Sequence, residues 1–235
     1  MTMDNFIKYL IIIVNTVIRM VVIIIINQVG CSTESQQMKY ITDSVFLCIF
    51  FNTGFLLMLV NANLEEQGAL VAKNFNGLIS DFNQDWFTSM GDTIVAAMVF
   101  NVWFPVVMEF INYGMRSGFR LKDYIGREEG FNTKMSSIQQ YVNLHAGPQY
   151  FMHYKYSSVM NIVFITMMFG AGLPMLFPIA AASLTMLFCL EKYMIYYVYK
   201  QPPAYDEKLN NSVLKNLSFA PLFLLAFGYW ILTNQ

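Results

Sequence analysis

Residues 156–190 read YSSVMNIVFITMMFGAGLPMLFPIAAASLTMLFCL, with no Asp, Glu, Lys or Arg among them. As one helix rising 1.5 Å per residue, this run would be about 52 Å long, against about 30 Å of bilayer hydrocarbon. It has to fold back on itself. The segment Gly170-Ala171-Gly172-Leu173-Pro174 supplies the break, because glycine permits a tight turn and proline removes a backbone donor and fixes its own φ. The run therefore predicts two spans, 155–171 and 174–198, joined by a short turn.

Working outward, apolar blocks of similar length predict further spans at 6–26, 40–60 and 93–115 before this run, and at 214–233 after it. Of the 235 residues, 56% are hydrophobic and 12% are charged, which leaves too little polar surface to cover a water-soluble globule. The expected fold is an all-α, polytopic integral membrane helix bundle of about six transmembrane helices. Residues 1–5 contain no Lys or Arg ahead of the first apolar block, so that block is expected to stay as a span and not to be cleaved as a signal peptide. Cys31, Cys48 and Cys189 show no CxxC spacing and read as packing residues. A net charge of -1 with no basic run gives nucleic acid nothing to bind.

Basic residues concentrate on the cytoplasmic side of short loops, and here they are one-sided. Lys39, Arg116, Arg120, Lys122, Arg127, Lys134, Lys155, Lys192, Lys200, Lys208 and Lys215 fall in the loops and flanking helix ends of one face of the expected bundle, whereas the opposite loops hold only Lys73. The N-terminus is thus expected outside, with loops 27–39, 116–154 and 191–213 inside. The acidic stretch 61–92, with Glu65, Glu66, Asp81 and Asp85, is expected outside, either as a solvated loop or as a collector of cations.

A charge at bilayer depth is costly, so each one needs a partner, a water-filled cavity or a function. Glu109 lies deep in the third expected span, shortly after Pro105, where a proline kink frees a backbone carbonyl. It fits an acid lining a cation path, and equally an acid paired with Arg116 or Arg19. Arg19 reads as a snorkelling or pairing residue, and Asp92 as the cap of the third span. Asn52, Asn101 and Asn161 suit bonds between helices or oxygens offered to an ion. Glu191, Lys192 and Tyr193, Tyr196, Tyr197 and Tyr199 read as interface anchors. His145 and His153 lack metal-ligand spacing, no cofactor is implied, and no arrangement of catalytic residues points to an enzyme.

Two stretches, and more weakly a third, resemble a known family. Trp103 to Glu109 has the tryptophan followed six positions later by a glutamate found in the sixth helix of the OSCA calcium-permeable stress-gated cation channels, relatives of the anoctamins and TMC proteins. Residues 167–198 are similar to that family's seventh and eighth helices, and Phe51-Asn52-Thr53-Gly54 to the middle of its fifth. The resemblance implies a mechanically or osmotically gated cation channel in the plasma membrane. Glu109, Asn52, Asn101, Trp103 and Asn161 would be candidate pore-lining residues, and Pro105, Gly170, Gly172 and Pro174 candidate gating hinges. It implies membrane lipids, permeating cations and a second copy or other membrane subunits as partners. Family members carry more spans and a cytoplasmic domain, so the chain is expected to be the pore region of a larger channel. The anoctamin calcium site needs more deep acids than Glu109, with Glu191 at a helix end, and is not expected. A phospholipid scramblase and a non-conducting structural subunit are the alternative functions.

Overall fold

The computed structural model describes residues 17–18, 20–29, 31, 33–56, 84–125, 133, 135–200 and 207–233, the side chains of Leu56, Asp85 and Ser89 excepted. Residues 6–16 and Arg19 of the first expected span, and Glu65, Glu66, Lys73, Asp81, Arg127 and Lys134, lie outside them. Among the described residues every regular element is a helix: α1 (Met20–Val29), α2 (Glu34–Phe50), α3 (Asp92–Ile125), α4 (Ile138–His145), α5 (Met152–Phe169), α6 (Leu176–Tyr197), α7 (Lys208–Leu217) and α8 (Ala220–Thr233). Among the described residues three helices are long and apolar enough to cross a membrane: α3, α6 and the nearly continuous pair α7–α8. The chain is an all-α integral membrane protein.

Two compact units divide the chain. The first comprises Met1–Val99, Met152–Ala181 and Tyr205–Gln235. Its helix α2 starts where Thr33, in extended conformation, accepts the Gln36 amide on its hydroxyl, the usual side-chain answer to the unpaired first-turn donors. Helix α2 continues as a π-helical turn, Phe51–Leu56. Ile41, Val45 and Ile49 on α2 pack against Val22, Ile23 and Ile26 of α1.

Helix α5 is the centre of this unit and packs against α2, α7 and α8. It is buried on most of its circumference, with Met160, Ile162, Phe164, Ile165, Met168 and Phe169 all in the core. Phenylalanine rings fill the space between helices: Phe164 lies 4.8 Å from Phe46, 5.4 Å from Phe50 and 5.4 Å from Phe223. Contacts along the axes give the helix directions. Met38, Phe50 and Gly54 of α2 and its extension meet His153, Phe164 and Met168 of α5 in the same order. Phe164 and Phe169 meet Phe223 and Phe227 of α8, again in order. These three helices run parallel. Lys39, Lys155 and Lys208 all lie near the starts of the parallel elements, at one end of the unit.

The turn between α5 and α6 falls at residues 170–175 and contains the break expected at Gly170–Pro174. Space, and not an unusual dihedral, requires its glycines, since neither has positive φ. A Cβ on Gly170 would stand 2.5 Å from the Thr166 carbonyl oxygen and 2.7 Å from the Phe177 ring, and one on Gly172 3.2 Å from Ile231 and Phe87. Pro174 precedes α6 and Pro178 lies in its first turn, where a missing amide costs nothing.

Several helix boundaries differ from expectation: α2 starts at Glu34 and not at 40, and helical turns from Gln84 to Gly91 run without a break into α3, so Asp92 does not cap it. Helix α3 does not stop at 115 but runs on to Ile125, because the polar stretch after Met115 holds good helix formers and its Lys122 favours the carboxyl end of the dipole. The described residues of 116–154 are thus largely helical, with α4 and the start of α5 also among them. The last span does not begin at 214. Helix α7 starts at Lys208, and the chain loosens at Ser218 and Phe219 because Pro221 has no amide to give the Leu217 carbonyl.

Candidate functional site

The second unit comprises Phe100–Phe151 and Ala182–Ala204 and holds Glu109. Helix α3 carries Asn101, Pro105 and Glu109 at i, i+4 and i+8, on one stripe. Pro105 leaves the Asn101 carbonyl without its ordinary helical donor, so an amide, a freed carbonyl and a carboxylate follow one another along that face. Between Thr93 and Met115, Glu109 is the only Asp, Glu, Lys or Arg. Trp103 is two residues from Asn101 and from Pro105, which turns it roughly 160° from the stripe, and it is 58% exposed. The structure therefore does not place Trp103 beside Glu109.

The half-buried Glu109 accepts a hydrogen bond on Oε1 from the Tyr199 hydroxyl, 2.7 Å away. The Arg116 pairing weighed from the sequence is not formed. The buried Arg116 Nη1 makes no hydrogen bond, and seven residues of helix put it about 10 Å further along the axis. Tyr199 was expected among the interface aromatics, yet it is half-buried and turned onto α3.

Backbone geometry holds Tyr199 there. The amides of Val198 and Tyr199 both donate to the Met194 carbonyl at the end of α6, and Lys200 N donates to the Pro148 carbonyl at 3.0 Å. Gly147 makes this approach possible: its φ is +85°, and a Cβ would stand 2.2 Å from the Val198 carbonyl oxygen. The Tyr150 ring then meets Tyr199 edge-on at 5.3 Å. Burial pushes the Tyr199 phenol well above its ordinary range, and the bond to Glu109, the charges of Glu109 and Glu191, and Tyr150 push the same way. Tyr199 therefore stays protonated and acts as a donor.

The other candidates lie in the first unit. Asn52 and the buried Thr53 sit on the π-helical turn after α2, a backbone form that often marks functional positions. Beside them Gly54 lets α2 approach α5 closely, since a Cβ would stand 3.2 Å from Met168 Sδ. Asn161 is buried on the stripe of α5 that contains His153, Phe164 and Met168 and faces α2, and its Oδ1 has no hydrogen-bond partner. Gly170, Gly172 and Pro174 form the close-packed turn described above.

Sequence reasoning passed over Asp43. The Asn216 amide donates to its Oδ1 at 2.8 Å and the Ser212 hydroxyl approaches Oδ2 at 3.5 Å, joining α2 to α7. An acid three residues into the span expected at 40–60 was a visible signal. Nearby, His153 Nδ1 lies 3.0 Å from Met38 Sδ.

Comparison of the chain with protein-family models, with curated proteins and with solved structures returns no match.

Proposed function

We propose that this integral membrane protein is the conducting part of a tension-gated cation channel, with Glu109 as the acid on the ion path. One observation carries the reading: the single charged side chain in the apolar part of a membrane-length helix is an acid whose carboxylate is oriented by the Tyr199 hydroxyl 2.7 Å away. Burying a carboxylate there costs about 2.5–3.5 kcal/mol even on the lower scales, a cost that ion passage would explain. Asn101 and the carbonyl freed by Pro105 add oxygen ligands on the same stripe, the type of ligand that replaces water around a permeating cation. Tension enters through helix geometry, since a proline-interrupted helix changes tilt with less loss of backbone bonding than a regular one. The resemblance of 103–109 and 167–198 to the stress-gated channels points the same way.

The test is current through a stretched lipid patch holding the purified chain. Cation current that rises with tension, and whose conductance falls at least several-fold in Glu109→Gln, is the expected result. Silence from folded, reconstituted protein would refute conduction by this chain, and lipid transfer without current would replace the channel with a scramblase.

A further inference from the structure

We infer that helix α4 lies in the membrane surface, with Ile138, Tyr141 and Val142 set into the boundary between lipid headgroups and acyl chains. This rests on α3 crossing the bilayer and is independent of conduction. The helix is eight residues long, IQQYVNLH, and none of them is buried. Three of its four apolar side chains, Ile138, Tyr141 and Val142, fall at i, i+3 and i+4 on one face and are 85%, 39% and 44% exposed, while the half-buried Leu144 lies off that face. Gln139, Gln140 and Asn143 lie on the opposite side with Leu144 at its border, and His145, stacked on Tyr141, shares the outward face. A short helix that turns its apolar face outward gains nothing from water on that side, and interfacial helices have this division of faces.

Two anchors set its height. The first is Arg120 on α3, whose Nε and Nη2 donate to the carbonyls of Leu144 and His145 at 3.1 and 3.2 Å, satisfying the last carbonyls of α4. Glu109 apart, α3 carries no charge from Thr93 to Met115, so Arg120 lies about 7.5 Å beyond that stretch, at the outer limit of a headgroup layer roughly 5–7.5 Å deep. The second anchor is the turn after α4, where the Pro148 carbonyl accepts the Lys200 amide. That ties it to the end of α6 just past the exposed Tyr193, Tyr196 and Tyr197, aromatic residues of the kind that collect at membrane interfaces. Both anchors place α4 at interface depth, and its free face has lipid as its occupant. Arg116 and Lys122, beside Arg120 on α3, supply attraction for anionic headgroups at the same level.

The experiment uses the full chain with Cys31, Cys48 and Cys189 replaced by serine, reconstituted in mixed phosphatidylcholine and phosphatidylserine vesicles. A nitroxide is attached in turn to Ile138→Cys, Val142→Cys and Gln139→Cys. The expected result is relaxation by oxygen above that by a water-soluble nickel complex at 138 and 142, and the reverse at 139. Relaxation by nickel above oxygen at 138 and 142 would place the helix in water and overturn the inference. Protection of both positions from both reagents would also overturn it, because protein would then cover the face. Tyr141→Trp provides a second readout: lipids brominated near the headgroup should quench the added emission over the constant background of Trp86, Trp103 and Trp230, and an unquenched increment refutes the placement.

Discussion

The two units solve the problem of a helix in lipid differently. In the first, α5 is covered by neighbours on most sides, and rings such as Phe164, with three aromatic contacts, fill the gaps. In the second, α3 leaves Trp103, Val107, Phe110 and Ile111 exposed and is tied down by a few polar contacts, chiefly Glu109 to Tyr199 and Arg120 to the end of α4. Packing dominates where apolar side chains meet protein. Lipid is as apolar as leucine, so the exposed face of α3 gains little from protein packing, and its specificity has to come from hydrogen bonds.

The sharpest break of this contrast is Phe164→Ala, which removes the ring at the meeting point of α2, α5 and α8. It is expected to cost about 3–5 kcal/mol, read from detergent-solubilised unfolding. A loss below about 1 kcal/mol would mean that the first unit is not held by its core. In the second unit the corresponding weak point is backbone: Gly147→Ala places a side chain at positive φ and against the Val198 carbonyl, at a cost of about 1–3 kcal/mol. Limited proteolysis should then cut between 145 and 151 while the first unit stays intact.

Tyr199→Phe removes one bond to a carboxylate in a half-exposed site, for a loss of about 1 kcal/mol. Its pH signature is more specific. The folded phenol titrates above its ordinary value of 10.0, so its contribution is complete below about pH 10 and is lost as pH rises through the folded value. In a spectrophotometric titration the wild-type chain should retain one late-ionising tyrosine that the variant lacks, and identical curves would remove Tyr199 from the site. The smallest effect is expected from Trp103→Leu, within about 0.5 kcal/mol, with conductance unchanged. Should it alter conductance as much as Glu109→Gln, the assignment of faces on α3 would be wrong.

Apolar blocks and the Gly170–Pro174 break were legible because lipid imposes a length and prolines and glycines punctuate it. Hydropathy marks where lipid contact ends and not where helical bonding ends, which is why the run of α3 from Met115 to Ile125 was missed. Glu109 stood out from its surroundings, but Tyr199 is 90 residues away and only the tertiary fold, through Gly147, brings it close. Asp43 was overlooked for the same reason, since its partners Ser212 and Asn216 are 169 and 173 residues away, on either side of the boundary between the expected loop 191–213 and the span 214–233.

Parallel packing of α2, α5 and α8 has an electrical result. Peptide dipoles in antiparallel neighbours cancel, whereas here they add, leaving about half a positive charge at the start of each helix and half a negative charge at each end. Lys39, Lys155 and Lys208 gather at the positive pole, together with the acids Glu34 and Glu207 at the starts of α2 and α7. The first unit is thus an electric rod, and any tilt of it in a transmembrane voltage changes its energy without a single mobile charge being displaced.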